Sequence, residues 1–245
     1  GFQPPNAANV RPETVISRPD QYVGVTTYKG NNTVGRIIDI GRNADLVWVK
    51  KRTAENHILV DTVRGENNFL MSDSTNAANT SGGPITGIGA TVYNGFIVDN
   101  NGYVNANDAA YVCWNWKAGG DKNTFNVDDV GYASAAAAGL TAGDVAPTGA
   151  SVGTKQGFSI IRWTAPTWNG SPQQVPHGLT QSPSFIIAKV INDAASWYCY
   201  HKDLDASNPQ NKYLTLNSNG AVDTLANGWG TSAPNSTTFG DRVPV

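Results

Sequence analysis

The sequence predicts an all-β protein of two tandem β-sandwich repeats, jelly-roll or concanavalin-like, the second incomplete at the C-terminus. Three observations predict it. With 26 glycines, 13 prolines and one methionine in 245 residues, the chain is rich in turn formers and poor in helix formers. Short runs of Val, Ile and aromatic residues recur between Gly, Asn and Asp clusters at the spacing of a sandwich. The later part of the chain repeats the earlier part block by block.

Residues 1–21 carry four prolines and no apolar periodicity, which suits an extended arm. Residues 22–120 hold the first repeat, in "YVGVTTYKG", "GRIIDIG", "ADLVWVKK", "NHILVD", "NNFLMSD", "NGFIVDN" and "AAYVCWNWKAGG". In the last of these, Tyr111, Cys113 and Asn115 alternate with Val112, Trp114 and Trp116, so both faces of that strand are expected to be covered. Residues 121–156 turn to Ala, Gly, Thr and Val and read as a connector lying on its neighbours. Residues 157–245 hold the second repeat, in "GFSIIRWTA", "QQVPHG", "PSFIIAKV", "SWYCYHKDL" and "NKYLTLNS".

Superposing the two series pairs Lys50 with Lys189, Asp61 with His201, Phe69 with Tyr213 and Phe96 with Phe239. Apolar character recurs across the pairs and most of the charges do not, so the charges of residues 50–64 that vary read as surface groups. The counterpart of "AAYVCWNWKAGG" has not appeared by Val245. An unpaired edge is expected in the second repeat, completed by further chain or by another subunit.

In this order the blocks, with "FNVDDVGYASAAAAGL", "GASVGTKQGFSII" and "TSAPNSTTFG" between and after them, resemble a tandem repeat of tailed-phage virion proteins. The repeat is common in tail-fibre and appendage proteins of marine and cyanobacterial phages, and the likeness covers residues 20–241. The resemblance implies a structural or binding component of a virion, a tail fibre or tail-associated protein for host attachment. A capsid-decorating protein, a lectin-like module and a tailspike glycan hydrolase are the alternatives. Expected partners are other copies of itself, neighbouring virion proteins and a host surface glycan or protein receptor.

Composition excludes some partners. A formal net charge of −2 offers no electrostatic footprint for nucleic acid, and no stretch approaches the length of a membrane-spanning helix. No enzyme is expected, because "G-x-S-x-G" is absent and His57, His177 and His201 lie apart, with His201 answered by Asp61. No cofactor or metal is expected either. "DNNGYVNAND", residues 99–108, has oxygen ligands but departs from a calcium loop and reads as an Asn-Gly turn. Asn31, Asn79, Asn169 and Asn235 open N-x-[ST] matches of the kind an Asn-rich and Thr-rich chain produces by chance. Cys113 and Cys199 read as separate buried thiols.

The tryptophans divide. Trp48, Trp114 and Trp116 lie inside predicted strands and are assigned to the core. Trp163, Trp168, Trp197 and Trp229 lie nearer loops and are the candidates for contact with a glycan or partner.

Overall fold

The Val, Ile and aromatic runs form strands in a computed structural model that describes residues 18–165, 167 and 169–242. The earlier part holds β1 (Val23–Lys29), β2 (Arg36–Asp39), β3 (Leu46–Lys51), β4 (Ile58–Asp61), β5 (Leu70–Met71), β6 (Ile85–Gly87), β7 (Gly95–Val98) and β8 (Ala110–Trp116). The later part holds β9 (Phe125–Val127), β10 (Val130–Tyr132), β11 (Pro147–Gly153), β12 (Phe158–Trp163) and β13 (Gln173–Pro176). It closes with β14 (Phe185–Ala188), β15 (Tyr198–His201), β16 (Lys212–Thr215), β17 (Asp223–Thr224) and β18 (Thr238–Asp241). Among the described residues no helix is long and apolar enough to cross a membrane.

The all-β class holds, but the two tandem sandwiches do not. The strands make small sheets in the orders β1-β8-β3-β4-β5, β2-β7-β6, β10-β9-β11-β12, β14-β15-β16-β17 and β13-β18. These are arranged as a four-blade β-propeller. Two physical facts account for the difference. Residues 125–153, read as connector, supply β9, β10 and β11 and bury a core of their own around Phe125, Leu140, Ala150 and Val152. Another cluster joins Leu59 and Leu70 of the earlier part to Trp197 of the later part, so the two parts are packed on each other in addition to burying cores of their own. Short alternating strands with frequent turns serve sandwiches and propellers equally, and periodicity does not say how sheets stack.

Segments that align in the sequence lie in hairpins of like register. Val47 faces Val60 and Trp48 faces Leu59 in β3–β4, as Ile186 faces Tyr200 and Ile187 faces Cys199 in β14–β15. Ile38 faces Phe96 in β2–β7, as Val175 faces Phe239 in β13–β18. Tyr28 meets Phe96 edge-on at 6.3 Å, and Trp163 meets Phe239 edge-on at 5.6 Å.

One face of the five-stranded sheet covers a core with Val47, Val49, Ile58, Tyr111 and Cys113. The other face carries a cross-strand row of Val25, Trp114, Trp48 and Leu59. Its two ends differ: Leu59 is buried beneath Trp197, whereas Val25 is 62% exposed. β8 then leaves the sheet through Ala118 and Gly120, whose N–H groups donate to the buried Asp45 carboxylate at 2.7 and 3.1 Å. Gly119 between them is pressed against β11, where a Cβ would lie 2.4 Å from the Val152 carbonyl oxygen, so no larger residue fits.

Candidate functional site

The half-covered row opens into a groove of about 450 Å³ lined by Trp48, Lys50, His57, Ser72, Asp73, Trp114, Trp116 and Leu216. Strand geometry explains the aromatic wall. Trp114 and Trp116 are two apart on β8, so both stand on the face opposite Cys113, and Trp114 lies directly across from Trp48. The Trp48 and Trp114 rings are 5.9 Å apart and tilted by 53°. Trp116 is fixed from the far side by Phe158 of β12, stacked on it at 6.1 Å. Trp48 is fixed by its indole N–H, which donates to the Ser72 hydroxyl at 3.1 Å. All three indoles are half-buried, held rigidly with part of their surface in solvent.

The rim is polar. The His57 backbone N–H donates to Asp73 Oδ1 at 2.9 Å, and its ring Nε2 lies 4.0 Å from Asp73 Oδ2. Burial holds the His57 pKa below its ordinary value; Asp73 opposes this and Lys50 adds to it. The ring is therefore neutral near pH 7, with one nitrogen able to donate and one to accept. Lys50 Nζ donates to the carbonyls of Thr53 and Glu55, at 2.9 and 3.3 Å. Among the described residues Asp73 is the only carboxylate lining the groove. Aromatic surface with a few donors and acceptors at its edge can hold an amphipathic ligand.

Of the predicted contact residues, the three that the structure describes lie elsewhere. Trp197 is 4% exposed and its indole N–H donates to the carbonyls of Met71 and Ser74, at 2.9 and 3.1 Å. Trp229 is 1% exposed and donates to the Lys212 carbonyl at 3.0 Å. Neither has a ring face left for a ligand. Trp163 is half-buried against Phe239, its N–H donating to Asp241 Oδ2 at 2.7 Å. Trp168 lies outside the described residues. The groove is thus built from the tryptophans assigned to the core. The alternation of residues 111–116 put Trp114 and Trp116 on one face; what a single sequence lacks is any sign that this face is left half open.

Other predicted features find structural roles. His177 is buried, with Nε2 3.0 Å from the Asn235 carbonyl and Nδ1 accepting from the Leu179 N–H at 3.1 Å. His201 Nδ1 is 3.7 Å from Asp203 Oδ2 on the surface. In residues 99–108 the oxygens face separate partners: Asp99 accepts from Gly35, Asn101 from Tyr103 and Asn105 from Asn31. Among the described residues no three His, Cys, Asp or Glu are grouped to hold a metal. Cys113 and Cys199 are buried free thiols, pushed up by burial to about 12 and about 11.

The expectation that the charges of residues 50–64 are all superficial fails at one place. Arg64 Nε donates to Asp61 Oδ2 at 2.6 Å with both side chains buried, and Arg64 Nη1 and Nη2 also donate to the carbonyls of Asn68 and Leu59. Arg52 and Glu55 are exposed as expected.

Fold and groove together define an all-β protein that displays an aromatic cleft on a rigid sheet. The chain belongs to the family described as Domain of unknown function (DUF7483), whose model matches residues 18–243. No similar curated protein and no similar solved structure is found.

Proposed function

We propose that this chain is a non-catalytic binding module of a tailed-phage virion, in a tail fibre or tail-associated attachment protein, and that its groove receives a saccharide of the host surface. The observation that carries the binding role is the groove itself. Trp48, Trp114 and Trp116 are immobilised around about 450 Å³ of accessible space, with His57, Asp73 and Lys50 at the rim. Sugars present C–H faces that stack on indoles and hydroxyls that exchange hydrogen bonds with such a rim. The virion setting rests on the resemblance of residues 20–241 to the phage repeat.

The test is titration of the purified chain with envelope polysaccharides of candidate hosts, followed by tryptophan fluorescence. Saturable quenching that is lost in Trp114→Ala, with no reducing ends released, is the expected result. Binding that survives Trp114→Ala would move the site elsewhere, and release of reducing ends would overturn the non-catalytic reading.

A further inference from the structure

β14 and β12 are each the last strand of their sheet, and their free edges are in phase with one another. In β14–β15 the Lys202 N–H donates to the Ser184 carbonyl, so residues 184, 186 and 188 spend their backbone groups on β15. Phe185 and Ile187 turn theirs to the open side. In β11 the Ala150 N–H donates to Thr124 and the Val152 carbonyl accepts from Asp128, so these residues face β9 and their odd-numbered neighbours face β12. On β12, Phe158, Ile160 and Arg162 therefore face β11, while Ser159 and Ile161 present N–H and C=O on the free side. These outward backbone groups have no partner among the described residues. Side chains of both strands, Ile161 and Ile186, pack on one core cluster.

The earlier part shows what fits between such edges. There β8 lies between β1 and β3, antiparallel to both. The Arg52 N–H donates to the Ala110 carbonyl, which puts Leu46 and Trp48 in the phase that faces β8. Their register counterparts are Phe185 and Ile187. On the other flank, Gly30 donates to Ala109 and Lys117 to Tyr22, which puts Thr26 and Tyr28 toward β8. Tyr28 corresponds to Trp163 through its matching contact with the ribbon phenylalanine. Phe185 and Ile187 remain 55% and 37% exposed, an unusual state for two large apolar residues on an edge strand.

We infer that β12 and β14 together form a receptor for one extended strand of a second protein chain, bound antiparallel to both with the side-chain alternation of β8. That alternation sets the chemistry of the partner. Residues that become fully buried face the core, as Tyr111, Cys113 and Asn115 do, and bulky apolar residues that stay half-buried face outward, as Trp114 and Trp116 do. This is strand addition, in which backbone hydrogen bonds give affinity and alternate side chains give register.

The probe is a synthetic peptide of the sequence of residues 108–118, titrated into the full chain beside a scrambled peptide of the same composition. Saturable one-to-one binding is expected, with slowed hydrogen exchange at the amides of Ser159, Ile161, Phe185 and Ile187. Ile187→Pro removes an outward N–H on an edge strand, where proline is tolerated, and should weaken binding at least about tenfold. The double variant F185K/I187K, at two exposed positions, should do the same and keeps the test decisive if the proline variant fails to fold. Equal binding of the scrambled peptide, or protection confined to other edges, overturns the inference. So does a chain that already protects these amides by pairing with its own copies.

Discussion

Leu46 lies across from Asp61 in one hairpin, and Phe185 lies across from His201 in its repeat, yet the two hairpins stand in different surroundings. β3 is central, with β8 on one side and β4 on the other; β14 is an edge. The consequences follow the neighbour. Where β8 is present, its two tryptophans join Trp48 to make a groove, and Asp61 is buried with Arg64. Where no such strand lies among the described residues, Phe185 and Ile187 are exposed and His201 sits at the surface beside Asp203. One local pattern thus yields a binding wall in one place and an open edge in the other, because sheet neighbours rather than the hairpin decide what its outer face meets.

The comparison is broken most severely by removing what ties the two parts together. Trp197 fills the space over Leu59 and Leu70, and around it Ala78 donates to Ile191 and Ala195 to Thr75. Trp197→Ala is expected to cost about 3–5 kcal/mol, seen as a lower midpoint in urea, because it leaves a cavity and removes the indole hydrogen bonds to the Met71 and Ser74 carbonyls. Next comes the buried ion pair. Arg64→Met leaves Asp61 Oδ2 buried without its cation and should cost about 3–5 kcal/mol. At the repeat position the His201→Ala change should move stability by no more than about 0.5 kcal/mol. Equal effects at the two sites would show that the hairpins are equivalent after all.

The all-β class and many of the strands were legible in the sequence, since alternation and turn residues act locally, whereas β9, β10 and β11 were not. Asp61 with His201 and Phe96 with Phe239 hold like places in the registers, as they do in the sequence. The stacking of the sheets was not, because Phe125 and Ala150 lie in a small-residue stretch that gives no hint of a core of its own. The aromatic groove was half legible. Trp114 and Trp116 were placed on one face of β8, but burial of Trp197 and partial exposure of Trp114 both depend on contacts between residues far apart in the chain.

A milder change sharpens the comparison at the groove. Trp114 is half-buried, so Trp114→Ala should cost about 1–2 kcal/mol and leave the fold intact at room temperature. Its larger effect is on ligand uptake, read as lost fluorescence quenching. A variant at the repeat hairpin, Ile187→Ala, should leave that quenching unchanged.

The smallest expected effect concerns pH and separates the two ribbons. After β2, Ile40 donates its N–H to the Asn94 carbonyl; after β13, His177 donates its N–H to the Thr237 carbonyl. The same backbone position thus carries an aliphatic residue in one ribbon and a buried imidazole in the other. Burial lowers the His177 pKa below 6.5, although the hydrogen bond to Asn235 acts the other way. The neutral ring uses both nitrogens, donating to Asn235 and accepting from Leu179, and protonation would abolish the acceptor. Because the unfolded chain binds this proton more readily, the contribution is complete above pH 6.5 and is lost as pH falls from there through the folded-state value. His57, lowered for the same reason, adds a loss of the same sign. Urea midpoints measured between pH 7.5 and 5 should therefore decline, and His177→Gln should flatten the decline without removing it. An unchanged slope in that variant would place the pH sensitivity in the groove, at His57, rather than in the ribbon.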